Sequence, residues 1–93
     1  MQRRVHIIVT GRVQGVGYRA SARDKAASLG LSGWVRNKWD GSVEITAEGD
    51  SFSVSTFINW CQIGPRWASV DELIVTDKTP TGESTDFVVR RDG

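Results

Sequence analysis

The stretch Gly11-Arg12-Val13-Gln14-Gly15-Val16-Gly17-Tyr18-Arg19 constrains this chain more than any other. The apolar run Val5 to Val9 reads into it, and an alanine-rich pattern at helical spacing reads out of it. A strand, a glycine-punctuated loop and a helix in succession aim several main-chain N–H groups at one spot. The free amides of the helix's first turn and its dipole add to the same spot, which favours an anion there. Arg19 stands where the helix begins and offers a planar fork of donors suited to phosphate or carboxylate. Residues Gln14, Gly15, Val16, Gly17, Tyr18 and Arg19 are therefore expected to wrap a phosphoryl group, with the rest of the fold holding that wrap rigid.

The remaining elements follow from periodicity. Val5, Ile7 and Val9 alternate with His6, Ile8 and Thr10, which predicts a strand with one buried face. Tyr18, Ala22, Ala26 and Leu29 recur at helical spacing, with Arg23, Asp24, Lys25 and Ser28 on the other side. Gly30 is placed to stop that helix. Leu31 to Asn37 and Ser42 to Glu48 read as a second and a third strand. The link Lys38-Trp39-Asp40-Gly41 has hairpin length and an Asp-Gly turn signal. Val43, Ile45 and Ala47 face one way, and Glu44, Thr46 and Glu48 the other. Asp50 or Ser51 can cap a second helix, in which Val54, Phe57, Ile58 and Cys61 form a core stripe. Gly64-Pro65 ends it. Ala68 to Thr76 reads as a fourth strand, residues 77 to 85 as a loop, and Phe87 to Arg90 as a short final strand. The order β-α-β-β-α-β plus a final strand predicts an α+β, ferredoxin-like split β-α-β fold. One mixed, mainly antiparallel sheet carries both helices on one face. That fold hosts many functions, so function has to come from the site.

Size and charge remove several classes. The 93 residues are expected to form a single domain, residues 1–93, able to bury roughly 65% of the surface its unfolded chain exposes. A formal net charge of +1 supplies no global field for nucleic acid or an anionic membrane, so any anion preference must be local. One cysteine, Cys61, allows no internal disulfide and no thiolate metal cluster. No apolar run is long enough to span a bilayer, and no signal-peptide core follows Met1-Gln2-Arg3-Arg4. A cytoplasmic monomer is the expectation.

A second segment, Gly33-Trp34-Val35-Arg36-Asn37, ends the second strand. In a split β-α-β unit that strand returns near the loop, so Asn37 is expected close to Arg19. The sequence then reads G-R-V-Q-G-V-G-Y-R over residues 11–19 and G-W-V-R-N, three residues, G-S-V, five residues, G over residues 33–49. In this order and at this separation the two segments resemble the signature stretches of the acylphosphatase family. The likeness extends to Trp60-Cys61-Gln62-Ile63-Gly64-Pro65 and covers about residues 3 to 90. Tyr18 stands where phenylalanine is common, Gly17 occupies a variable slot, and Trp39 makes the hairpin tip bulky. The resemblance implies a small cytosolic enzyme that hydrolyses acyl phosphates to a carboxylate and phosphate. It implies no metal and no other cofactor. The roles it implies are Arg19 and the loop amides for the phosphate and Asn37 for the attacking water. Inorganic phosphate or sulfate would then occupy the same site.

The chemistry is compatible with these residue types. A carboxylate leaves without help from a general acid, and phosphoryl transfer is mostly positioning and charge stabilisation. N–H donors and one guanidinium supply that in preorganised form. A carboxamide can hold the water, and a substrate oxygen can take its proton. Neither residues 11–19 nor residues 33–37 include a histidine or a carboxylate, which this reaction tolerates and most other hydrolases do not.

Other readings carry less. Gly15 to Ala20 matches the dinucleotide fingerprint G-x-G-x-x-A, but a hairpin follows the second strand and the chain is too short for two nucleotide-binding halves. No Gly-Lys-Ser/Thr follows, which excludes a Walker loop. His6 and Cys61 read as structural, Trp34 and Trp60 as packing residues, and Trp39 and Trp67 as partly exposed. Trp39 could line the mouth for an acyl group. Glu44, Glu48, Asp71 and Glu72 read as a solvated face. Two rival functions remain. A non-catalytic module binding RNA or a regulatory ligand would need strand aromatics where the third strand carries glutamates. A carbamoyl-phosphate-processing domain of a larger maturation factor fits less well with the free-standing length.

Overall fold

Val5, Ile7 and Val9 are fully buried, while Arg4, His6 and Ile8 between them are only half-buried. That alternation is the signature of a strand covered on one side. The computed structural model describes residues 1–82 and 85–93. Its elements are β1 (Gln2–Arg12), α1 (Tyr18–Ser28), β2 (Ser32–Asn37), β3 (Val43–Asp50), α2 (Ser51–Ile63), β4 (Ser69–Lys78) and β5 (Phe87–Val89). The sheet order is β4-β1-β3-β2-β5. β1 runs antiparallel to β3 and β4, and β2 runs antiparallel to β3 but parallel to β5. α2 packs on β1, β3 and β4, α1 packs on β2 and β5, and the two helices touch. Both therefore cover one face, and the fold is the expected ferredoxin-like α+β arrangement. No helix among the described residues is long and apolar enough to cross a membrane.

The core lies between that face and the helices. Ala22 and Ala26 of α1 are fully buried, and their small side chains let the helix lie close to the sheet. Val54, Phe57 and Cys61 are the buried residues of α2, with Ile58 at the edge of the core. Tyr18 joins the two helices. Its ring packs against Trp60 at 5.5 Å, and its hydroxyl donates to the Cys61 carbonyl at 2.7 Å. Burial, with Cys61 adding to it, pushes the phenol well above its ordinary range.

The helix ends follow local chemistry. Asp50, rather than Ser51, caps α2 by accepting the Phe52 N–H at 3.1 Å. After α1 the Gly30 N–H bonds to Ala27 O and the Leu31 N–H to Ala26 O, both at 3.0 Å, which closes the helix where the glycine predicts. In the hairpin link, Asp40 accepts both the Ser42 N–H at 2.9 Å and its hydroxyl at 2.6 Å.

Several element boundaries differ from the sequence reading. β1 takes in Gly11 and Arg12, with a register slip against β4 between Thr10 and Gly11. β4 runs to Lys78, opposite Arg4, so the expected 77–85 loop begins later; residues 83 and 84 lie outside the described residues. Main-chain pairing to β1 continues past the apolar residues, which are all that periodicity detects. The last strand stops at Val89, although Arg90 N–H still bonds to Val35 O at 2.8 Å.

The helix-free face of the sheet is not the solvated surface expected for Glu44 and Glu48. Glu44 accepts from Arg36 Nε and pairs with His6 Nε2, each at 2.7 Å. Burial alone would raise its carboxyl, but these two partners outweigh it and hold it below the ordinary range. Glu48 accepts the N–H groups of Thr81 at 2.9 Å and Gly82 at 2.7 Å and the Thr81 hydroxyl at 3.1 Å. These bonds likewise outweigh its burial and lower its carboxyl. Asp71 and Glu72 are exposed as expected. Trp34 is a packing residue as expected, but on this face and outside the core. Its ring lies on this face beneath the guanidinium carbons of Arg36 at 5.3 Å and Arg90 at 4.7 Å.

One position in β2 tolerates no side chain. Gly33 has φ 139°, and a Cβ there would run into the Thr46 carbonyl of β3. Gly33→Ala is expected to destabilise the protein by about 3 kcal/mol or more, because either the strand pair or the backbone must move. Urea denaturation measures it; a loss below about 1 kcal/mol would mean that the strand pair accommodates the methyl group.

Candidate active site

The loop between β1 and α1 is held from both sides. Val13 is buried in the core. Gln14 turns its side chain the other way and donates to the carbonyls of Lys38 and Ser42, each at 2.8 Å. Those two carbonyls flank the β2–β3 turn, so the loop is fastened to the hairpin. Gly15 (φ 74°) and Gly17 (φ 80°) then take left-handed conformations. Open space surrounds both Cβ positions, so backbone conformation rather than crowding is what calls for glycine.

Gly17 is the N-cap of α1, and the helix's first turn has neither a side-chain cap nor an acidic residue. The first helical bond runs from Ser21 N–H to Gly17 O at 3.1 Å. Among the described residues, no acceptor takes the main-chain N–H groups of Gly15, Val16, Gly17, Tyr18, Arg19 or Ala20. A series of uncapped donors at a helix start, beside a guanidinium, is chemically an anion receptor.

A cavity of about 330 Å³ opens against this loop, and Gly15, Gly17, Tyr18, Arg19 and Asn37 all line it. That size suits a small molecule. The topological expectation that Asn37 lies near Arg19 is met to this extent: one cavity holds both. Asn37 ends β2 and is 8% exposed. Its main-chain carbonyl accepts from Gly93 N–H at 2.9 Å. Its side-chain oxygen Oδ1 is buried and has no hydrogen-bond partner among the described residues. Buried polar atoms are nearly always satisfied, so an orphan that shares a cavity with uncapped amides is a functional signal.

Arg19 is oriented by a contact that sequence reasoning missed. Its Nη1 donates to Asp92 Oδ1 at 3.1 Å. The C-terminal segment delivers Asp92 by running beside β2 and its hairpin, with Gly93 N–H on Asn37 O at 2.9 Å and Trp39 N–H on Gly93 O at 3.0 Å. Nothing local in the sequence signals this pairing, since Arg19 and Asp92 lie 73 positions apart. Arg23 and Val89 also line the cavity. Helical spacing puts Arg23 on the side opposite the apolar residues, and its position four residues after Arg19 places the two on one face.

Not every residue of the expected wrap lines the cavity. Gln14 and Val16 do not; the first is committed to the hairpin carbonyls and the second packs against the core. The Tyr18 phenol is likewise committed, to the Cys61 carbonyl, although the residue does line the cavity. Trp39 is 83% exposed and is not among the lining residues, so the acyl-mouth role suggested for it has no contact behind it.

Other candidate groups are placed elsewhere. The Cys61 thiol is pushed up to about 12 by burial, which leaves almost no thiolate at neutral pH. His6 pairs with Glu44 on the opposite face of the sheet. A larger hollow of about 530 Å³ also lies on that face, lined by Arg4, Trp34, Glu48 and Arg90 among others. There Arg4 faces Glu48 and Arg90 covers Trp34, so its cations are engaged. The smaller cavity is the better candidate on chemistry, and no acidic side chain lines it among the described residues.

Comparison with known proteins identifies the family. The acylphosphatase family model matches residues 5–89. A curated acylphosphatase from Methylococcus capsulatus is 57% identical over 90 residues, covering 97% of this chain and 98% of that protein. The crystal structure of an acylphosphatase from Bacillus subtilis superposes with a TM-score of 0.91 at 36% identity, covering 97% of this chain and 99% of that one. A crystal structure of full-length HypF in a phosphate- and nucleotide-bound form contains the same fold, with a TM-score of 0.88 at 26% identity over 99% of this chain and 12% of that one. The chain belongs to the acylphosphatase family, hydrolases of acyl phosphates.

Proposed function

We propose that residues 1–93 act as one catalytic domain that hydrolyses acyl phosphates at the β1–α1 loop, with Arg19 and the N–H groups of residues 15–20 holding the phosphoryl oxygens and Asn37 holding the attacking water. The single observation that carries the division of roles is the orphaned Oδ1 of Asn37, which shares a cavity with Arg19 and the uncapped loop. An acceptor with no protein donor is suited to a water proton, whereas a phosphoryl oxygen, itself an acceptor, would be repelled by it.

In this reading the water oxygen attacks phosphorus from the Asn37 side, and the bond between phosphorus and the acyl oxygen breaks. The acyl carboxylate leaves with the electron pair. One water proton stays on the new P–OH, and the other passes to a phosphoryl oxygen, giving carboxylate and dihydrogen phosphate. A carboxylate is a weak base, so no general acid is required. Charge stabilisation by fixed donors supplies most of the acceleration. Donors that are already aimed need little reorganisation as charge shifts in the transition state. Asp92 has a positioning role: it fixes one edge of the Arg19 guanidinium and leaves the other N–H groups for substrate. The Gln14 amide acts in the same sense by fastening the loop to the strand end that carries Asn37.

Arg19→Ala is expected to lower kcat/KM for acetyl or benzoyl phosphate by about a thousandfold or more, read in an assay containing EDTA with para-nitrophenyl phosphate as the unactivated control. Turnover close to that of the unaltered protein would remove Arg19 from the mechanism. Asn37→Ala is expected to lower kcat while competitive inhibition by inorganic phosphate persists within about threefold. Collapse of phosphate affinity in that variant would make Asn37 a phosphate ligand instead of a water holder.

A further inference from the structure

The proposed phosphoryl grip uses Arg19, but the cavity has a second guanidinium-bearing wall. Arg23 lines the same space, one helical turn beyond Arg19. Residues at this spacing lie side by side on a helix, with Cβ atoms roughly 5–6 Å apart. Arg19 is held by Asp92, whose approach is fixed by the chain's last residues. Among the described residues, Arg23 pairs with its chain neighbour Asp24 alone, through two contacts of 3.3 Å. The two side chains are 47% and 73% exposed. An ion pair that exposed holds its partners weakly, so Arg23 is available to an incoming anion at little cost. Ala20 and Val89 also line the cavity and give it small and apolar residues beside the two arginines. No acidic residue lines the cavity to offset Arg23 among the described residues.

We propose that Arg23 is a specificity-determining residue that selects acyl phosphates whose acyl part ends in a carboxylate. The proposal rests on the phosphoryl site described above. With the phosphoryl group at Arg19 and the loop amides, the acyl chain runs along Ala20 and Val89. An anionic end separated from the acyl carbonyl by about two carbons then reaches Arg23, given the spacing of the two arginine positions. The guanidinium receives such a carboxylate as a two-point hydrogen-bond partner. A plain acetyl group has nothing to offer it. The contact is made in ground state and transition state alike, so the preference is expected mainly in KM.

The test compares succinyl phosphate with acetyl phosphate for the unaltered protein and for Arg23→Gln, Arg23→Lys and Arg23→Glu. Arg23 is an exposed helix residue, so these variants are expected to fold, and circular dichroism checks it. The expected result is a kcat/KM ratio of succinyl over acetyl phosphate clearly above unity, which falls about two- to fivefold in Arg23→Gln. The ratio should recover at least partly in Arg23→Lys and drop further in Arg23→Glu. Raising the salt concentration should shrink it in the unaltered protein. A ratio that is the same in the unaltered protein and Arg23→Gln overturns the selectivity while leaving the phosphoryl site intact. Failure of the unaltered protein to hydrolyse acetyl phosphate at all overturns both.

Discussion

The carboxamide of Gln14 bridges two carbonyls at the neck of the β2–β3 hairpin, and the rest of the candidate site depends on that bridge. Lys38, one of its partners, directly follows Asn37. A loop of several residues with two left-handed glycines would otherwise sample many conformations. The bridge sets its position against the strand end that carries Asn37. From the other side, Val13 and Val16 are anchored in the core, and Tyr18 is tied to the end of α2 by a buried hydrogen bond. Several of the loop's side chains are thus spent on fixing it, and its main-chain N–H groups from Gly15 onward have no acceptor among the described residues.

This division explains where the protein departs from ordinary stability rules. α1 starts at a glycine N-cap with no side-chain acceptor, which generally costs a helix a few tenths of a kcal/mol relative to a capping side chain. Asn37 keeps an orphaned oxygen in a largely buried position, which costs more. Both departures adjoin one cavity. Elsewhere polar groups are satisfied with care: Asp50 caps α2, Asp40 closes the hairpin, and Glu44 and Glu48 each accept from several donors. Imperfection gathered at a single concave spot is what a preorganised binding site looks like when its ligand is one of the missing partners.

Much of this was legible in the sequence, for identifiable reasons. The two helices and the three inner strands carry strong periodicity, and Gly30, Asp50 and the Asp-Gly turn punctuate them where such residues act locally. The link between the loop and Asn37 was legible through topology, because a split β-α-β unit returns its second strand beside the first loop. What stayed hidden depends on distant pairing. β4 is an edge strand whose length is set by hydrogen bonds to β1, not by its own alternation. Glu44 and Glu48 look solvent-facing until β1, β2 and the segment near Thr81 supply their donors. Asp92 reaches Arg19 only because the chain end lies along the hairpin. Arg23 could have been found from its spacing to Arg19, but helical alternation assigned it to the polar side. The rim of a cavity is polar too.

The central claim is that backbone N–H groups at the start of α1 grip the phosphoryl group. It is tested most directly by titrating ¹⁵N-labelled protein with inorganic phosphate and following the amide resonances. The account predicts saturable shifts largest at Gly15, Val16, Gly17, Tyr18, Arg19 and Ala20, together with the Asn37 side-chain amide, and small shifts along β4 and the exposed face of α2. Phosphate binding that leaves the amides of residues 15–20 unmoved, or that shifts the Arg4–Trp34–Arg90 hollow instead, would contradict it.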